Sequence, residues 1–124
     1  MRENNGLKHF LSNALIPNRR ERLIGFLASE KGFIKFSKSL DHDLEKFLDK
    51  TKLSLEFSEF EFEQAGYLYC SSGAELNKEG TIANLYKEAP WVGGWLIISK
   101  SGELAIYRPE GRIDDELYFK LQQS

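Results

Sequence analysis

The segment Asn18-Arg19-Arg20-Glu21-Arg22 breaks a local rule of helix chemistry. It sits where a helix should begin, with Asn18 as its cap and Glu21 three residues on, the spacing of a capping box. A helix N-terminus already carries partial positive charge from its free backbone amides. Each exposed cation placed there costs about 0.3–1 kcal/mol. Three arginines in that turn become favourable when an anion rests on them, held by amides and bidentate guanidinium groups. A phosphate, a cluster of carboxylates or an acidic partner would serve. Arg108 and Arg112 follow a C-terminal hairpin and would join Arg19, Arg20 and Arg22 if the fold brings them near. The competing account is salt bridging to the acidic middle of the same chain.

Other chemistry is sparse. Asp41-His42-Asp43 sets carboxylates beside an imidazole, which can orient the ring or raise its basicity. Adjacent residues on a helix point in different directions, however, so this reads better as an exposed helix start with a capping Asp. Cys70 lies in the aromatic stretch Tyr67-Leu68-Tyr69-Cys70, where a small buried side chain fits better than a reactive thiolate. His9, His42 and Cys70 are not at metal-ligand spacing. The chain carries no G-x-S-x-G, no P-loop, no G-x-G-x-x-G and no C-x-x-C. No catalytic residue, metal or cofactor is therefore expected.

The charge is segregated more than its total of −2 suggests. Residues 1–38 hold eight Lys/Arg against three Asp/Glu, residues 39–79 four against ten, and residues 80–124 five against six. An acidic face carried by Asp41, Asp43, Glu45, Glu59 and Glu61 then becomes the natural contact for a basic partner. Duplex nucleic acid is disfavoured, because its binders carry strongly basic domains. These features point to a small non-enzymatic domain that binds another macromolecule, with a protein as the expected partner. One version is an inhibitor or immunity-type protein whose acidic face blocks a basic active site. The alternative is a small anionic or phosphorylated ligand bound, or acted upon, at the arginines. The N-terminus lacks the apolar core of a signal peptide, and no run reaches the ~18–20 apolar residues of a membrane span. With a single cysteine, a cytoplasmic setting is the expectation.

Such surfaces need a scaffold, and 124 residues with 41% apolar content predict one domain, 1–124. Residues 1–50 show apolar positions at three- and four-residue spacing, broken by Ile16-Pro17, Ser29 and Asp41, which predicts a cluster of short helices. Leu53, Leu55 and Phe57 alternate like a strand. Ser58 and Glu61 then make a capping-box spacing that favours a short helical turn over a bulged strand. Tyr67–Ser71 reads as a strand, 73–80 as a polar loop, and 81–89 as a helix ended by Pro90. Trp95–Ile98 and Leu104–Tyr107 form a hairpin around Ser99-Lys100-Ser101-Gly102, with Gly102 in the left-handed region. Neither run alternates apolar with polar, so both strands should be central and covered on both faces. If strands 67–71 and 95–99 flank helix 81–89 as one crossover, part of the sheet is parallel. Asp114, Asp115 and Glu116 suit the first turn of a terminal helix. The expected fold is α+β: helices packed on three or four antiparallel or mixed strands, with the aromatic residues, Phe60 among them, in the core.

Overall fold

The computed structural model describes residues 5–41, 43–54, 58–71, 78–90, 93–110 and 116–121; the side chains of Asn18, Arg19, Lys52, Leu53 and Glu59 are outside that description. Within those bounds the chain is α+β. Helices α1 (Asn5–Ala14), α2 (Pro17–Gly25), α3 (Glu30–Ser39) and α4 (Asp43–Phe47) come first. Strands β1 (Leu53–Ser54) and β2 (Ala65–Cys70) follow, separated in part by a 3₁₀ turn over Glu59–Glu63. Then come β3 (Lys78–Thr81), α5 (Ile82–Glu88), β4 (Trp95–Ser99), β5 (Leu104–Arg108) and β6 (Leu117–Lys120).

The hairpin is the centre of the molecule. The strand order is β1-β6-β5-β4-β2-β3, every neighbouring pair is antiparallel, and all residues of β4 and β5 are buried. Alternate side chains enter two separate cores. Tyr69, Leu96, Ile98, Ala105, Tyr107 and Phe119 face the four N-terminal helices, packing on Phe10, Leu11, Phe36, Leu40 and Leu44. Leu68, Cys70, Trp95, Ile97, Leu104 and Ile106 face the other way, under Ile82 and Leu85 of α5 and Phe62 of the 3₁₀ turn. Each large aliphatic or Phe side chain among these contributes about 1.5–3 kcal/mol on leaving water, which explains why both strands are apolar on both faces. Gly102 has φ +81°, as the loop requires, and a Cβ there would overlap the Gly6 carbonyl of α1.

The sheet departs from the expectation of three or four strands in two places. Residues 78–81 form an edge strand although they read as loop, because Lys78, Glu79 and Gly80 leave the sequence without an apolar alternation. Charged edge strands of this kind resist pairing with other chains. β2 and β4 are antiparallel neighbours, so they do not form the parallel crossover. Both β3 and β4 run antiparallel to β2, so the crossover through α5 joins β3 to β4 with β2 lying between them. The second departure is at the C-terminus. Leu117–Lys120 is a strand on β5, with Phe119 in one core and Tyr118 against the other. Pairing along an open edge of β5 outweighed the helix-start signal; residues 114–115, which carried most of that signal, lie outside the described residues.

Local caps follow the sequence in part. Ser29 caps α3, its side chain accepting from the Gly32 amide at 3.0 Å, and Thr81 caps α5. α2 starts one residue before the expected cap. Pro17 occupies the first turn and Ile16 stands at the cap with no side-chain hydrogen bond. Proline fits there because its missing N–H would be unsatisfied in any case. Ser58 and Glu61 do form a capping box, so Glu59–Glu63 is a helical turn and not a bulged strand. Gly66 lies in β2, where a Cβ would come within 2.5 Å of the Ile98 carbonyl.

Candidate functional site

Among the described residues, the candidate arginines do not converge. Arg20 belongs to α2 on the helical side of the sheet, where its Nη2 donates to the Leu15 carbonyl at 3.1 Å. Arg22 is exposed on the same helix. Arg108 lies at the end of β5 on the opposite side, stacked 5.3 Å from the Trp95 ring centroid and donating through Nη2 to the Pro90 carbonyl at 2.5 Å. The sheet separates the two groups. The side chain of Arg19 and all of Arg112 lie outside the described residues. Arg108 is 6% exposed, and no carboxylate among the described residues pairs with it. Its Nε and the Trp95 Nε1 lack hydrogen-bond partners. Both atoms have essentially no accessible surface, so no oxyanion has room beside them. Arg108 therefore acts as a packed cation on an aromatic face, a contact worth roughly 0.5–2 kcal/mol.

The acidic residues separate as well. Asp41 is engaged within the fold: its Oδ1 accepts the Gly94 amide at 2.7 Å and its carbonyl accepts the Glu110 amide at 2.9 Å. Beside it, Tyr107 donates its hydroxyl to the Leu40 carbonyl at 2.7 Å, and burial pushes that hydroxyl's pKa above its ordinary value. Asp43 is exposed and meets Lys46 at 3.9 Å; Glu45 meets Lys50 at the same distance. His42 lies outside the described residues, so the Asp-His-Asp cluster cannot be followed further. All of this lies at the Trp95–Arg108 end of the sheet, on the helical face.

Glu59 and Glu61 lie at the other end, on the α5 face. The 3₁₀ turn that carries them leads directly into Ala65, whose carbonyl accepts the Lys100 amide. Five-residue strands put that end about 13 Å from the first. The turn is held firmly. The Ser58 amide donates to Glu61 Oε2 at 2.8 Å, the other Glu61 oxygen pairs with Lys120, and the Gln64 carbonyl accepts the Ile82 amide at 2.8 Å. Lys120 holds the Glu61 carboxyl below its ordinary pKa of 4.5. Glu63 is exposed.

Phe60 sits at the tip of this turn and is 78% exposed, while Phe62 is drawn into the core against Tyr86 in an edge-to-face contact. The aromatic run had suggested core for both residues. Helical geometry decides otherwise: at three residues per turn, positions two apart point about 120° from one another. The capping-box spacing is the signal that could have revealed this, because it excludes the strand in which both would share a face. The turn thus presents a large exposed apolar ring in an acidic segment, on a backbone held by its own hydrogen bonds.

Cys70 and Tyr86 are closed to chemistry. Burial pushes the Cys70 thiol up to about 11 and so away from thiolate, and the Tyr86 hydroxyl is tied to Glu116 at 2.6 Å. Among the described residues no group of His, Cys, Asp and Glu could hold a metal ion, and no helix is long and apolar enough to cross a membrane. No protein family, curated protein or solved structure matches the chain.

Proposed function

We propose that the protein is a non-enzymatic binding domain that engages a basic protein surface through the Phe60 turn. The observation that carries this reading is the 78% exposure of Phe60 on a doubly capped turn bearing Glu59, Glu61 and Glu63. An aromatic ring left in water gains most when a partner pocket covers it, and a rigid turn loses little entropy on binding. The glutamates would select a partner of positive charge and speed its approach. An inhibitor or immunity-type role fits this arrangement: Phe60 fills an apolar notch while the carboxylates cover a basic active site. In this reading the protein works in the cytoplasm, where its one cysteine stays reduced. Binding of a small anion at the arginines has less support, since Arg20 and Arg108 occupy opposite faces of the sheet and the unpartnered Arg108 Nε is enclosed.

The test uses a photo-crosslinking aromatic residue at position 60, with position 21 on the exposed side of α2 as control, in the native host. A protein captured at 60 and not at 21 is then purified. It should bind the wild-type chain with an affinity that falls as salt rises, and at least tenfold more weakly after Phe60→Ala. Equal capture at both positions, or a partner indifferent to Phe60→Ala, would overturn the reading.

A further inference from the structure

Among the described residues, two large apolar side chains are exposed, Phe60 at 78% and Ile34 at 50%. Their surroundings are opposite in sign. Ile34 lies on α3 on a stripe with Lys31, Lys35 and Lys38, three lysines that outnumber Glu30, the exposed acid one turn before Ile34. All three lysines are exposed, and none pairs with a carboxylate among the described residues. Phe60 lies in a turn whose sequence also carries Glu59, Glu61 and Glu63, with Lys120 offsetting the charge of Glu61 and Glu63 exposed.

From this complementarity we infer that the Phe60 turn of one copy docks on the α3 stripe of a second copy. The inference rests on the turn being a docking surface and names a second copy as an occupant. The two patches cannot meet within one molecule. α3 packs on the helical face through Phe33 and Phe36, whereas the Phe60 turn lies on the α5 face through Phe62. A contact between unlike patches leaves one of each kind open at the ends, so association continues into chains or a closed ring. A contact of only two apolar side chains and a few screened charges is weak and salt-sensitive. Self-association would cover the turn at high concentration and free it on dilution, so a foreign partner and a second copy compete for Phe60.

Sedimentation of the full chain at rising concentration and low salt tests this directly. The weight-average mass should climb past the dimer and return to the monomer at high salt. Phe60→Ala keeps the α3 stripe but loses the turn; Lys35→Glu/Lys38→Glu keeps the turn but reverses the stripe. Each variant alone should remain monomeric, with unchanged circular dichroism. Mixed in equal amounts, they should form dimers and nothing larger, because each supplies the one patch the other lacks. A wild-type chain that stays monomeric at low salt would sink the inference, as would association that survives either variant or a mixture that stays monomeric. If a foreign partner is still captured at position 60 while the wild type stays monomeric, the docking surface stands and only the second copy is lost.

Discussion

Asp41–Glu45 and Glu59–Glu63 look alike in the sequence, each with three acids at alternate positions. The fold uses them in opposite ways. In the first, Asp41 accepts a hydrogen bond from Gly94, the Leu40 carbonyl accepts the Tyr107 hydroxyl, and Leu44 is fully buried. In the second, the turn spends Glu61 on holding its own shape and sets Phe60 outward. Acidic character alone therefore does not mark a contact surface. What distinguishes the second stretch is that its internal hydrogen bonds fix a backbone whose apolar tip has nothing to cover it.

The contrast can be broken in four places, taken from the largest expected effect downward. Gly94→Ala puts a Cβ on top of the Leu40 carbonyl, backbone against backbone, where no side chain can yield. It should destabilise by at least about 3 kcal/mol, a large share of the total for a small domain, as chemical denaturation would show. Asp41→Ala strands the buried Gly94 amide and should cost about 1–3 kcal/mol by the same measurement. Lys120→Met removes the partner of Glu61. Because Lys120 holds the folded carboxyl below its unfolded value, the pair stabilises at neutral pH and its contribution disappears as pH falls through the folded value. The gap between variant and wild type should be about 0.2–1 kcal/mol near neutrality and should close in acid, below 4.5. Phe60→Ala should change stability by no more than about 0.5 kcal/mol, since the ring buries little on folding. A loss matching that of Asp41→Ala would mean Phe60 is packed, and the comparison would fail.

Much of the scaffold was legible from residue types. The unbroken apolar runs of Trp95–Ile98 and Leu104–Tyr107 demanded cover on both faces, and Gly102 marked their turn; both features are observed. Ser29, Thr81 and the Ser58–Glu61 pair carried real cap information. β3 and β6 were harder. Lys78–Thr81 is stabilised by backbone pairing with β2, which leaves no periodic trace in the side chains. Leu117–Lys120 follows three acids that suit a helix start, and only the open edge of β5 decides for a strand. At the proposed site, the charge pattern suggests Glu59 and Glu61 as part of an acidic face, while the aromatic pattern assigns Phe60 to the interior, where the fold does not put it. The 3₁₀ geometry that turns it out depends on hydrogen bonds to Ser58 and Glu61 that the apolar pattern does not reveal.

The approach of Gly94 to Leu40 also bears on how the molecule is assembled in time. It clasps the end of α3 to the entrance of the hairpin across more than fifty residues, and Tyr107 and Glu110 fasten the same spot from further along the chain. Contacts of such separation carry a high loop-closure entropy and tend to form late. The four N-terminal helices share their core with the sheet, so a fragment ending near residue 50 would have no interior of its own. Cutting the chain between the two sides of the clasp should release both pieces as unfolded polypeptide, and their recovery as a complex would require the clasp and the shared core to re-form together.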